Sequence, residues 1–294
     1  MLHHDYMNEN KFDLKIMFFV ISLIFTQSAF AVSPELQIQC GHDEQDGIGW
    51  NYCDHQLAGS TSQDVLYYFH GLYGSELEWQ NSLVLDETYA AWGLSAPRVI
   101  TISYGTVWLL AEKNEGQASG LYEHLVHTAL PYLEKQLHVN PVHRLLMGAS
   151  MGGFNASQVY LKNPELFYKV ALACPAITSV SPYASSDEIS SYISRTGALN
   201  SYVDTALRLS SIYFPSPESW SQSDPIELAK QRVTEKFPDL FVSGGTEDEF
   251  GFQEGGKIFA ETVALKGAKA TWTALPGLHC TYDVSGTAQF LISK

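Results

Sequence analysis

Positive charge is scarce in this chain of 294 residues: 17 Lys and Arg stand against 32 Asp and Glu, a formal net charge of −15. So little basic charge argues against nucleic acid, whose phosphates a partner must neutralise, and against docking on anionic lipid. Charged residues of either sign are also few, at 17%. With 45% hydrophobic and 13% aromatic residues, the chain is too apolar to remain disordered. The phosphate-binding G-x-x-x-x-G-K-[ST] and dinucleotide fingerprints are both missing, and no cofactor is implied. No internal repeat or low-complexity tract follows residue 31. The longest apolar run, Ile16–Phe25, is too short to span a bilayer comfortably.

That run has another use. Lys11 and Lys15 precede it, and Ser28-Ala29-Phe30-Ala31 follows it. Small residues at −3 and −1 of a cut after Ala31 predict a signal peptide over residues 1–31. The mature domain is then 32–294, secreted or periplasmic, with no integral membrane span. Cysteines are few, and all four lie in this mature part. An exported chain permits them to pair. Cys40 and Cys53 bracket a short Gly/Asp-rich segment and look like a local hairpin bridge. Cys174 and Cys280 either pair with each other or stay as buried thiols. Cys40, Cys53, His42 and His55 could supply four metal ligands, but a disulfide is favoured in an exported acidic chain. Asp43, Glu44 and Asp46 do not match a calcium loop. No metal site is expected.

Short apolar runs alternate with helical patterns, the signature of a largely parallel α/β sheet. Strands are expected at 65–69, 98–103, 143–148, 169–174, 240–243 and 270–274. Helices are expected at about 118–138, 154–162, 257–266 and 288–293. Residues 176–238 break the alternation. They are rich in Ser, Pro and Tyr and read as a cap-like insertion, with short helical stretches at 202–210 and 225–231. Its aromatics (Tyr183, Tyr192, Tyr202, Tyr213, Phe214, Trp220) either form a small core of their own or line a substrate pocket.

Gly148-Ala149-Ser150-Met151-Gly152-Gly153 carries the chemistry. It joins a strand to a helix, the context a G-x-S-x-G nucleophile requires. The serine must sit on a sharp turn, and glycines on either side relieve the crowding there. The helix amino terminus adds partial positive charge where an oxyanion develops. A serine needs a base, and the base an orienting acid, in the order Ser, Asp/Glu, His. His279 is the one histidine after Ser150. The acid should follow the 240–243 strand: Asp248 is preferred, with Glu247 and Glu249 as alternatives. The oxyanion donors expected are the backbone N–H groups of Met151 and of Leu72 in His70-Gly71-Leu72-Tyr73-Gly74, with Tyr73 next in line. His70 reads as a structural hydrogen-bonder. Tyr73, Tyr104 and Trp108 are candidate substrate contacts.

These pieces resemble the α/β-hydrolases of the esterase group that holds esterase D and the S-formylglutathione hydrolases, feruloyl and acetyl-xylan esterases, enterochelin esterases and mycolyltransferases. The matching residues are His70-Gly71-Leu72, Gly148 to Gly153, the Gly245–Asp248 turn and His279. The resemblance implies an α/β-hydrolase fold: a mostly parallel sheet with helices on both faces and a helical insertion before the acid-bearing strand. It also implies acyl-serine chemistry on a carboxylic ester or thioester, carried by a small molecule, a lipid or a polysaccharide. Transfer of the acyl group to another hydroxyl is the alternative, and a non-catalytic binding protein the third reading. Three features depart from the group. A signal peptide suits a cytosolic glutathione-thioester hydrolase poorly. No Trp follows His279. The 176–238 insertion carries no assignable substrate motif.

Overall fold

The computed structural model describes residues 35–112, 114, 119–232 and 236–294. The expected signal peptide lies outside the described residues. The described chain opens with a hairpin, β1 (Leu36–Gln45) and β2 (Ile48–Leu57). Asp46 and Gly47 make its turn with φ of 53° and 77°, the left-handed pair a tight two-residue hairpin needs. Cys40 stands opposite Cys53 in the ladder, and the two form a disulfide, as the bridge reading expected.

The alternating part follows: β3 (Val65–Phe69), α1 (Leu85–Trp92), β4 (Arg98–Ser103), α2 (Leu121–His124), α3 (Leu130–Gln136) and β5 (Arg144–Ala149). Helices α2 and α3 are one helical run joined by the π-turn Leu125–Ala129. Pro131 lies just beyond it, and its missing N–H is one that a regular ladder would use. Next come α4 (Met151–Lys162) and β6 (Lys169–Ala173), then four helices, then β7 (Asp239–Gly245), α9 (Phe252–Leu265), β8 (Ala270–Leu275) and α10 (Val284–Ile292). The sheet order is β1-β2-β4-β3-β5-β6-β7-β8. Pairing is antiparallel from β1 to β4 and parallel from there to β8.

Side chains on a strand alternate between faces, and this divides the core in two. Tyr67, Phe69, Leu146, Leu172 and Val242 join the core that includes Phe154 and Val159 of α4 and Phe259 of α9. Leu66, Tyr68, Leu145, Met147 and Ala171 join Tyr89 and Trp92 of α1 and Leu291 of α10 on the other face. All five residues of β3 are buried, as expected of a strand covered on both sides.

The insertion between β6 and β7 is helical: α5 (Ser186–Thr196), α6 (Asn200–Tyr213), α7 (Pro217–Ser221) and α8 (Pro225–Gln231). Its aromatics divide. Tyr192 builds a small separate cluster with Val180, Ala198, Val203 and Leu207. Tyr213, Phe214 and Trp220 instead pack into the main core.

Candidate active site

Parallel strands all end at one edge of the sheet, and the loops leaving β5, β7 and β8 meet there. Ser150 stands between β5 and α4 with φ 51° and ψ −115°, a strained conformation for any residue with a side chain. The surrounding glycines are steric necessities. A Cβ on Gly148 would lie 2.1 Å from the Gly152 carbonyl oxygen, and one on Gly152 2.1 Å from that of Phe69. The Ser150 N–H donates to the Ala173 carbonyl at 3.0 Å, which ties the turn to β6.

Ser150 Oγ and His279 Nε2 are 2.9 Å apart, and the hydroxyl donates there when the imidazole is neutral. His279 Nδ1–H donates to Asp248 Oδ2 at 2.6 Å. The other oxygen of Asp248 accepts the Phe250 N–H at 2.9 Å, so the carboxylate is held from both sides. Asp248 is 2% exposed. Of the two alternative acids, Glu247 is exposed and Glu249 accepts the backbone N–H of His279 at 2.8 Å. Glu249 therefore positions the base without reaching its ring. Gly245 permits the close loop contact: a Cβ there would meet the Leu278 carbonyl oxygen at 2.3 Å. Phe250 and Phe252 set their rings edge-on to the imidazole at 5.0 and 5.3 Å.

Burial works against a charge on His279. Hydrogen bonds to Asp248 and Cys280, with the negative charge there, outweigh it and push the imidazole up to about 10. The cysteine after the base is a member of this network. A hydrogen bond from Cys174 chiefly, with help from His279, pulls Cys280 down to about 6. Burial pushes Cys174 well up. Both thiols are unbridged, Cys174 buried and Cys280 exposed.

A cavity of about 740 Å³ opens over Ser150 and His279, with Leu72, Tyr73, Trp108 and Met151 in its walls. Met151 opens α4, so its N–H has no partner within the helix. Gly71 N–H is taken by the Glu78 carboxylate at 3.0 Å, which leaves Leu72 as the next donor on that loop. Tyr73 is 83% exposed. Trp108 is backed by Tyr213, ring centroids 4.4 Å apart. Helix α6 of the insertion contributes Ala206, Leu209 and Ser210 to the wall. Of the two readings of the insertion's aromatics, the pocket-lining one is not met, since none of them lines this cavity. Tyr104 needs correcting. It is buried in the main core, and its hydroxyl meets His124 Nδ1 at 2.9 Å, away from the Ser150 cavity. His70 is buried; its Nδ1–H donates to the Gly71 carbonyl at 2.7 Å, and Nε2 accepts from Ser103 at 2.8 Å. Both nitrogens are thus engaged within the scaffold.

Residues 51–290 match the family described as Putative esterase. The chain belongs to that family. This esterase-family chain matches none of the curated proteins. Among solved structures it is similar to a ferulic acid esterase, with TM-score 0.61 and 16% identity over 87% of this chain and 96% of that one. It is also similar to an S-formylglutathione hydrolase from Agrobacterium tumefaciens, with TM-score 0.60 and 16% identity over 89% and 94% of the two chains. An arylesterase gives 0.62 and 15% over 87% and 81%. At these identities the likeness establishes the shared α/β-hydrolase fold. Family membership supports ester hydrolysis, with small-molecule esters as substrates. Among the described residues, no helix is long and apolar enough to cross a membrane.

Proposed function

We propose that this chain is an exported serine esterase working through an acyl-serine intermediate. One observation carries the reading: the unbroken run from Ser150 through His279 to Asp248, at 2.9 and 2.6 Å, at the wall of an apolar cavity. Ser150 attacks the acyl carbonyl while His279 takes the hydroxyl proton at Nε2. Asp248 holds Nδ1–H, which keeps Nε2 free to accept and stabilises the imidazolium that forms. The oxyanion is received by the N–H groups of Met151 and Leu72, aided by the start of α4. His279 returns its proton to the leaving alcohol. Water then attacks the acyl carbon as His279 takes its proton, and the Ser150 oxygen leaves with that proton, which releases the acid and restores the serine. The cavity's largely apolar walls suit a bulky apolar acyl or aryl group. Export is supported by the 16–25 apolar run and the Ala29-Phe30-Ala31 cut site, together with the Cys40–Cys53 bridge.

The test is fluorophosphonate labelling of wild type beside Ser150→Ala, with turnover of an aryl ester. Labelling confined to wild type and a loss of about 10⁴-fold or more in kcat are expected. Near-normal turnover by Ser150→Ala would sink the assignment.

A further inference from the structure

Ser150 (φ 51°), Cys174 (φ 41°) and Cys280 (φ 63°) hold left-handed backbone around the candidate site, as does Tyr73 (φ 60°) at the cavity wall. Nucleophile geometry accounts for the first. The two cysteines have no part in the proton relay, yet each sits in a conformation that a β-carbon disfavours. Cys174 is the first residue after β6, its N–H fixed by the Ser243 carbonyl at 2.7 Å. Cys280 follows His279 on the loop after β8. The two sulfurs and an imidazole nitrogen of His279 all lie within 4.8 Å of one another. The first two cysteines of the chain are bonded, whereas these two remain thiols.

Two thiol sulfurs and one imidazole are a selective donor set. They suit borderline-soft and soft cations and reject magnesium and calcium, which require oxygen. Tetrahedral zinc, with Zn–S about 2.3 Å and Zn–N about 2.0 Å, holds such donors ~3.5–3.8 Å apart. Closing by about 1 Å or less brings the three donors to that spacing, with the fourth position left to water. Exposed Cys280 provides the way in, and buried Cys174 excludes competing water from one side.

We propose that Cys174, Cys280 and His279 form a site for a thiophilic divalent cation, zinc foremost, and that filling it disarms Ser150. The site itself rests on the donor geometry, and the disarming rests on the serine-esterase reading. Each thiol binds as thiolate and releases its proton to solvent, with no change of oxidation state. A cation on Nε2 removes the lone pair that faces Ser150. A cation on Nδ1 displaces Asp248. Either way the base is lost until the metal leaves.

Cobalt(II) reports the site without any turnover. Titrating the full chain should give a thiolate-to-cobalt charge-transfer band that saturates at one equivalent and is bleached by zinc. Cys174→Ser and Cys280→Ser should each abolish the band, and so should alkylation of Cys280 in the wild type, which needs no folded variant. No band in protein with both thiols free would overturn the site. Mass mapping that finds Cys174 bridged to Cys280 would do the same, as would a band surviving both substitutions. Saturating zinc should cut fluorophosphonate labelling of Ser150 at least tenfold, and a chelator should restore it. Labelling indifferent to zinc would overturn the disarming. If metal-free protein never labels, the serine-esterase reading has failed, and the cobalt band still decides the site.

Discussion

Asp248, Glu247 and Glu249 are neighbours in sequence with three different environments, and the difference is open to measurement. Asp248→Asn keeps the shape but cannot hold the required His279 tautomer, so kcat should fall by about 10⁴. Glu249→Gln still accepts the His279 backbone N–H and should cost less than about tenfold. The reverse ranking would mean that the acid is Glu249. The base itself predicts a pH profile. Its pKa is pushed up to about 10, and only neutral imidazole accepts the Ser150 proton. Hence kcat/KM should climb as pH rises from neutrality toward that value. A plateau reached below neutral pH would contradict the raised pKa. The same shift favours the folded state fully below the ordinary histidine value of about 6.5, and this contribution fades as pH rises through about 10. Much at this scale is legible in sequence: the glycine spacing marks Ser150, and His279 has no downstream rival. The choice among three acids is not, because it depends on which one the β7 loop buries. Tyr104 is ambiguous in sequence for a like reason. A tyrosine just past a strand end faces either the cavity or the core, and here His124 supplies a buried partner for its hydroxyl.

At the scale of elements, the turn between β5 and α4 is where packing and chemistry depend on one another. The space beside Gly152 is closed by the Phe69 backbone, which cannot give way as a side chain could. Gly152→Ala should therefore lower stability by about 2–3 kcal/mol or more, ~5–10 °C in Tm for a chain of this size. Unchanged Tm and activity would show that the turn has room for a side chain at this position. The parallel strands and the helices after them announce themselves through apolar runs and helical periodicity. Other elements left quieter traces. Helix α5 begins at a capping box, with Ser185 accepting from Glu188 N–H and the Glu188 carboxylate accepting from Ser185 N–H. The Ser-x-x-Glu spacing was there to be read. The hairpin had Asp46-Gly47, but β1 is mostly exposed, so it lacks the apolar alternation that makes a strand visible. Helix α1 is short, and nothing in its spacing separates it from the loop before it.

For the whole molecule, the two-faced core places β5 deep in the sheet and β8 at its margin. The nucleophile belongs to the interior and its base to the rim. Margins open first when a protein breathes, since fewer contacts hold them. On gentle heating, Ser150 should therefore lose its reactivity toward fluorophosphonate several degrees before the far-ultraviolet signal of the sheet collapses, with β8 amides exchanging before those of β5. Coincident loss would mean that rim and interior unravel as one unit. If the two losses separate, the molecule has a reversible dormant condition: folded, intact and silent, with its serine in place and its partner drifted off. A modest warming would then switch it off without destroying it, and cooling alone would wake it.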